Sequence, residues 1–396
     1  MTSKTSVRPA DRVSALKARQ TLKMAASAHA YVRGSTAKFY QWLDEQKRGT
    51  LPEGPAVWIC GDCHVGNLGP VASADDRVAI QIRDFDQTVV GNPAHDIIRL
   101  ALSLATASRG SDLPGVVTAH ILEQVIEGYQ NALRQDADGI DDAPKSIRLA
   151  LKKSIGRSWK HLAKERLENR KPTIPLGSKF WKLARPERDA IGELFRSPKL
   201  IQLATSLRSR DDNAKVELVD AAYWMKGCSS LGLLRYAVLL GISSGKEYEF
   251  ALIDVKEAVS AAAPRYAGRK MPKDQAERVV EGASSLSPHL GKRMASGKLM
   301  SKSVHSRIDA TRPEGGDRNA DRSRRHEGGE LPGRGCRKSS RAPNGRSHAK
   351  RLVERASASA FENVGCPVMA LVERRVVDRQ PRDGLSRALP QICNAG

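Results

Sequence analysis

Apolar positions divide the chain into helical and extended segments. Residues 10–48 and 115–210 carry apolar side chains at helical spacing, which predicts helices. Short continuous apolar runs at 56–60 and 78–82 predict strands, and a longer apolar stretch over 216–256 predicts a sheet. The pattern therefore favours an α+β fold with a large helical portion.

Carboxylate and amide side chains follow both short predicted strands. The first strand leads to Asp62, His64 and Asn67, and the second leads to Asp84 and Asp86. Asp62 and Asn67 are five residues apart, which is the spacing between the catalytic base and the metal-binding asparagine of the kinase catalytic loop. Oxygen ligands of this kind suit Mg²⁺. The order of the motifs predicts a site for a magnesium-bound phosphate group, in which Asp62 accepts or orients a proton.

The polar residues around Asp62 have expected roles in metal and phosphate binding. We expect Asn67 and Asp84 to bind Mg²⁺, and Asp86 to be a further ligand or a supporting acid. His64 either orients the catalytic base, contacts phosphate, or has a structural role in its loop. Arg33 lies in a Val-Arg-Gly turn, where it either binds phosphate or pairs with an acid in the core.

A glycine-rich segment and a lysine occur much later in the chain. Gly227, Ser229, Ser230 and Gly232 lie between two predicted strands, and a third predicted strand ends near Lys256. A glycine loop lets backbone amides approach phosphate oxygens, and a lysine on a strand supplies a fixed positive charge. We expect these residues to bind the phosphates of ATP.

A helix predicted over residues 273–285 carries a candidate partner for Lys256. Glu277 and Glu281 are four residues apart and share one helix face, and Glu281 is the preferred partner. In ordinary kinases the phosphate-binding half precedes the catalytic loop, whereas here it follows. The order predicts a protein-kinase-like two-lobe fold that is circularly permuted.

Seven short motifs are spread along the chain: Lys23–Met24, Tyr31–Gly34, Phe39–Tyr40, Gly61–Asn67, Asp84–Asp86, Val255–Ala258 and Arg278–Gly282. Together they resemble the bacterial family catalogued as domain of unknown function 2252. The resemblance covers residues 15–300 and implies a protein-kinase-like fold, but it implies no substrate. The turn and helix after Asp84 also resemble small-molecule kinases of the aminoglycoside-phosphotransferase type, which implies that Asp96 ties down the catalytic loop. Cys60 departs from that pattern, because those kinases usually carry His there.

These segments predict three parts of the chain. Residues 1–215 would form the lobe with the catalytic loop, the metal loop and most helices, and residues 216–300 would form the nucleotide-binding sheet and helix. Residues 301–396 would form a basic tail, since aliphatic residues nearly vanish between 305 and 352 and such a segment buries too little apolar surface to fold. The tail is either disordered or the product of a reading-frame error in the gene. We favour the error, because a kinase-like fold should continue here.

Composition limits the compartment and the partners. The net charge of +22 invites a nucleic-acid partner, but solvated helix faces explain it as well, so nucleic acid is less favoured than nucleotide. No run of apolar residues is long enough to span a membrane, and the N-terminus lacks an apolar signal core. Six cysteines at irregular spacing do not form a disulfide framework. We expect a cytoplasmic bacterial protein with no membrane partner.

The predicted function is an ATP- and Mg²⁺-dependent phosphotransferase that acts on an unknown hydroxyl-bearing acceptor. One alternative is a catalytically inactive kinase-like protein that binds nucleotide or RNA, and another is a Mg²⁺-dependent phosphohydrolase that uses the same acids. The Cys60-x-x-Cys63-His64 pattern also matches c-type haem attachment. That chemistry is not favoured, because it requires export.

Overall fold

The structure is a computed structural model that describes residues 6–47, 49–73, 78–133, 173–206, 214–228, 230–244 and 247–308. Part of the predicted helical region 115–210, the candidate phosphate-binding residue Ser229 and the predicted tail from residue 309 onward lie outside these residues.

Helices and strands are both well represented in the described residues. The helices are α1 (Arg12–Ala25), α2 (Ala28–Gly34), α3 (Thr36–Asp44), α4 (Pro93–Arg109), α5 (Gly115–Leu133), α6 (Arg185–Leu194), α7 (Pro198–Thr205), α8 (Gln275–Leu286) and α9 (Pro288–Gly291). The strands are β1 (Val57–Ile59), β2 (Leu68–Ala72), β3 (Val78–Ile82), β4 (Val89–Gly91), β5 (Phe180–Trp181), β6 (Lys215–Trp224), β7 (Arg235–Ser244), β8 (Glu247–Glu257), β9 (Met294–Leu299) and β10 (Lys302–Ile308). The α+β prediction is confirmed.

The largest sheet in the described residues is antiparallel and has the strand order β5-β6-β7-β8-β10-β9. Strand β8 lies between β7 and β10, and Lys256 on β8 is directly opposite Arg235 on β7 and His305 on β10. Residues directly opposite each other share one face of a sheet. These three basic side chains therefore project from the same side.

The opposite face of this sheet is apolar because side chains alternate along each strand. Tyr236, Val238 and Val255 lie on that face and are buried against residues of α6 and α7, including Ile191 and Leu200. Burial of this face against two helices orients the sheet, so its charged face points toward the rest of the molecule.

The rest of the described fold consists of two small strand pairs and several helices. Strands β1 and β4 pair, β2 and β3 pair, and their side chains share a core with α4, α5 and α8. Asp274 caps the N-terminus of helix α8, because its carboxylate accepts hydrogen bonds from the amides of Ala276 and Glu277 at 2.8 and 3.1 Å. The same helix packs against β1, β9 and β10. Helix α8 therefore packs between the two small strand pairs and the six-stranded sheet.

The predicted boundaries need two corrections. The six-stranded sheet begins at β5 rather than at residue 216, and it includes β10 beyond residue 300. The N-terminal helix α1 also belongs with the sheet, since Leu16 lies in the core formed with α6 and α7. The predicted boundaries follow the order of segments in the chain. They differ from the structure because long-range pairing, rather than adjacency in the chain, decides which segments share a core. None of the helices in the described residues combines the length and apolar character needed to span a bilayer.

Candidate functional site

The loop after β1 is held by a buried carboxylate. Asp96, in the first turn of α4, accepts hydrogen bonds from the amides of Cys60 and Gly61 at 2.7 and 2.9 Å. Gly61 has a φ of +72°, and a side chain there would meet the carbonyl oxygen of Gln87, so only glycine suits this turn. Burial raises the pKa of Asp96 to about 7, although both amide hydrogen bonds act in the opposite direction. Asp96 supports the loop, as expected; the cap of α4 is Asn92.

Asp62 projects from this loop and is oriented by a buried arginine. The Nε and Nη2 atoms of Arg99 donate to Oδ1 of Asp62 at 3.0 and 2.9 Å. Arg99 is in turn fixed through a hydrogen bond from Nη2 to the carbonyl of Val32 at 2.6 Å. Burial raises the pKa of Asp62 to about 6, although the charge of Arg99 lowers it. The Asp62 side chain stays partly accessible, with 17% of its surface exposed, so a small molecule can reach it.

Asn67 joins the ends of the two acid-bearing segments. Its Nδ2 atom donates to the carbonyl of Asp84 at 2.9 Å and to that of Asp62 at 3.4 Å. The amide of Arg83 donates to the carbonyl of Asn67 at 2.9 Å. These bonds place Asp62, Asn67 and Asp84 next to each other, as the motif spacing indicated.

Lys256 reaches the same place from the sheet. Its Nζ atom lies 3.2 Å from both carboxylate oxygens of Asp84 and forms an ion pair with Asp86. The Lys256 side chain is 4% exposed, whereas that of Asp84 is 52% exposed. Burial lowers the pKa of Lys256, but the two carboxylates outweigh it and raise the pKa above its ordinary value. The lysine and the acids are 172 and 170 residues apart in the chain and meet in the fold.

His305, which the predicted boundaries assign to the tail, completes this cluster. Its Nε2 atom lies 3.5 Å from Oδ1 of Asp86, and this oxygen is buried without a hydrogen-bond partner. Both ring nitrogens of His305 also lack a hydrogen-bond partner. Val304 and Ile308, two apolar residues at an even spacing that puts them on one face of a strand, are the signal that could have identified β10. The loss of aliphatic residues after Ile308 obscured that signal.

The acids near Lys256 fit Mg²⁺ in ligand type. Among the described residues, no group of three or more His, Cys, Asp or Glu side chains is placed to hold a metal ion. Mg²⁺ is usually held by one or two carboxylates together with substrate phosphates and water rather than by a complete protein cage. Asp84, Asp86 and Asn67 carry hard oxygen atoms of the type that Mg²⁺ prefers, and Oδ1 of Asp86 is buried without a hydrogen-bond partner among the described residues.

A second ionic cluster lies beside Lys256 on the same sheet face. Asp254 accepts hydrogen bonds from Nε and Nη2 of Arg235 at 3.0 and 2.5 Å. Lys226 and Arg307 lie 3.7 and 3.4 Å from the same carboxylate. Burial raises the pKa of Asp254, but these cations hold it well below its usual range. With several cations around one buried acid, this face of the sheet carries an excess of positive charge beside Lys256.

The glycine-rich segment connects β6 to β7 and approaches this charged face at one end. A side chain on Gly227 would come within 3.5 Å of the Arg235 guanidinium. Among the described residues, the amides of Gly227, Cys228 and Ser230 donate no hydrogen bond. Gly232 lies instead against α1, where a side chain would come within 3.1 Å of the Val13 backbone. Its φ of +99° and this packing explain why residue 232 is a glycine, so phosphate binding is not needed to account for it.

The expected pairing of Glu281 with Lys256 is wrong in this structure. Glu281 is exposed on α8, and no contact joins it to Lys256. The residue of α8 that faces the site is Arg278, which is buried and donates hydrogen bonds to the carbonyls of Thr88, Asp86 and Val259. A side chain on Gly282 would collide with Thr88 at 2.5 Å, so the helix approaches with that face and Glu281 is turned outward.

His64 is buried next to the base rather than at the surface. Its Nε2 atom lies 3.9 Å from Oδ2 of Asp62, and its Nδ1 atom has no hydrogen-bond partner. Burial, with the nearby charges of Arg33 and Arg99, lowers the pKa of His64 to about 3. The imidazole is therefore neutral at pH 7. Cys63 beside it is buried in the core.

A family model matches most of the chain. The model, described as an uncharacterized protein conserved in bacteria (DUF2252), matches residues 12–308, which is well over half of the sequence. The chain belongs to the DUF2252 family. No curated protein and no solved structure matches it.

The DUF2252 match ends at the last residue of β10. In β10, His305 pairs with Lys256, and Ile308 pairs with Ile253 on β8. The prediction that the tail begins at residue 301 is therefore wrong for residues 301–308. These residues lie within the family match, and 302–308 form β10 of the six-stranded sheet. Any break in the reading frame would lie after them.

Proposed function

We propose that this DUF2252 protein is an ATP- and Mg²⁺-dependent phosphotransferase with a circularly permuted, kinase-like arrangement of two lobes. The observation that supports this most is the contact of Lys256 with Asp84 and Asp86. A lysine on a sheet and acids at the ends of separate strands are the components that phosphoryl transfer requires.

The nucleotide end of the site would lie along the charged face of the sheet. Lys256 would supply positive charge to the phosphates of ATP, and the unbonded amides of Gly227, Cys228 and Ser230 would donate to phosphate oxygens. Asn67, Asp84 and Asp86 would hold Mg²⁺, which would supply neutralisation of the phosphate charge.

The acceptor end would lie at Asp62. As the acceptor oxygen forms a bond to the γ-phosphorus, the bond from that phosphorus to the bridging oxygen of ADP breaks, and Asp62 takes the hydroxyl proton. A carboxylate with a pKa near 6 is a stronger base than an ordinary aspartate and is still mostly ionised at pH 7. Arg99 fixes its orientation, and Asp96 fixes the loop that carries it. Catalysis would therefore depend on positioning and charge rather than on a covalent intermediate.

Transfer to water gives a test that requires no knowledge of the acceptor. We expect the full-length protein to release ADP from MgATP, with kcat/KM falling about tenfold per pH unit below about 6 and levelling above it. The sign follows from the raised pKa of Asp62, because only the deprotonated carboxylate accepts a proton. Asp62→Asn should remove both the activity and this pH dependence. The measurement is ADP release against pH for both proteins.

Two results would argue against the proposed phosphotransferase. A rate that is independent of Asp62 would exclude this residue as the base. Binding of MgATP without ADP release, or without transfer to any hydroxyl compound, would favour the alternative of a catalytically inactive nucleotide-binding protein.

A further inference from the structure

Two arginines and a histidine converge on Gly66, beside the acceptor end of the site. The guanidinium carbon of Arg33 lies 3.6 Å from the position that a side chain on Gly66 would take, and Nδ1 of His64 lies 3.2 Å from it. Arg83 contacts the same residue, because its Nη2 atom donates to the carbonyl of Gly66 at 2.9 Å. The side-chain position of residue 66 is thus bounded by polar groups.

These two arginines differ in their partners from three buried arginines of the fold. Arg12, Arg99 and Arg235 each pair with a carboxylate. Among the described residues, neither Arg33 nor Arg83 forms an ion pair with an acid, and both are exposed. The alternative that Arg33 pairs with an acid in the core is therefore wrong. Two guanidinium groups without a carboxylate leave charge and hydrogen-bond donors available to an external anion.

His64 gives an independent indication that this space receives a ligand. The residue is 6% exposed, and its Nδ1 atom, on the side toward Gly66, has no hydrogen-bond partner. Buried ring nitrogens are normally hydrogen-bonded, because leaving a buried polar atom without a partner destabilises the fold. A ligand over Gly66 would supply the missing partner.

We propose that Arg33, Arg83 and His64 bind a phosphate group carried by the acceptor substrate. The Nε2 atom of His64 is 3.9 Å from Asp62, so a single imidazole ring separates the proposed base from the anion site. A small phosphorylated compound with a free hydroxyl group can span that distance. The inference rests on the proposed function only in taking Asp62 as the place of the acceptor hydroxyl.

Binding of inorganic phosphate to the full-length protein tests this site without nucleotide or Mg²⁺. In isothermal titration at constant ionic strength, Arg33→Met should weaken phosphate binding about tenfold or more, as expected for loss of a charged hydrogen-bond pair. Arg33→Lys should recover part of the loss, because a lysine keeps the charge without the planar fork. The matched control is Arg269→Met, which changes an exposed arginine outside the site and should leave binding unchanged.

The outcomes separate this inference from the proposed function. Equal weakening by Arg33→Met and Arg269→Met, or no phosphate binding by the unmodified protein, would overturn the anion site whatever the ADP assay shows. Phosphate binding that is lost in Lys256→Met but kept in Arg33→Met would overturn it as well, because the anion would then lie at the proposed nucleotide end. Loss in Arg33→Met with retention in Lys256→Met would support it, even if no ATP turnover were found.

Discussion

Replacement of Asp84 by asparagine is expected to reduce Mg²⁺-dependent ATP turnover by roughly 10²–10³-fold, the usual cost of removing one charged group that stabilises a transition state. The neutral amide is a weaker magnesium ligand than the carboxylate. The fold should survive, because the Asp84 side chain is half exposed and the hydrogen bond from Asn67 is made to its backbone carbonyl. The measurement is ADP release with saturating Mg²⁺.

Asp189→Asn is the matched control for this substitution. Asp189 is an exposed acid on α6 whose nearest cation is Arg185 at 3.9 Å, and its replacement should change turnover less than about twofold, since isolated exposed ion pairs contribute little. Equal rates for Asp84→Asn and the unmodified protein would remove Asp84 from the site.

The largest loss of stability is expected from Arg12→Met. Arg12 and Glu187 form a two-bond ion pair at 2.5 and 2.8 Å, with side chains only 2% and 3% exposed. Glu187 also accepts a hydrogen bond from the Tyr236 hydroxyl at 2.8 Å, and Arg12 lies over the Tyr223 ring. Without the guanidinium, a buried carboxylate loses its counter-ion, which typically costs about 3–5 kcal/mol. Urea unfolding of both proteins measures the change in the free energy of unfolding.

An exposed pair gives the comparison for this prediction. Arg196 and Glu193 are also 2.8 Å apart, but their side chains are 79% and 73% exposed. Arg196→Met should therefore change the free energy of unfolding by less than about 1 kcal/mol. Similar losses in Arg12→Met and Arg196→Met would show that the buried pair does not anchor α1 to α6.

The proximity of Asp62, Asn67 and Asp84 was predictable, because each residue lies in a loop that directly follows or precedes a short predicted strand. Asp62, Asn67 and Asp84 follow short apolar runs, and the ends of two nearby strands bring them together through the Asn67 side chain. The position of Lys256 was predictable only from the order of motifs, because its contact with Asp84 joins segments far apart in the chain. The geometry of that contact could not be derived from periodicity.

The orientation of Glu281 and the position of His305 could not be predicted from the sequence, for different physical reasons. Helical spacing put Glu277 and Glu281 on one face, but it could not indicate that Gly282 allows α8 to approach Thr88 and turns Glu281 outward. His305 was missed because its strand pairs with β8 across about fifty residues, and the residues that follow it are poor in apolar side chains. Long-range pairing decided its place in the sheet, not local propensity.

Thermal unfolding of the full-length protein with MgATP tests most directly whether Lys256 and the acids form one nucleotide site. MgATP should raise the melting temperature, with a stabilisation of about 2.7 kcal/mol at a ligand concentration one hundred times Kd. ATP with a chelator, or MgATP with Asp84→Asn, should give a much smaller shift. An unchanged melting temperature with MgATP, or the same shift with Mg²⁺ removed, would contradict the account.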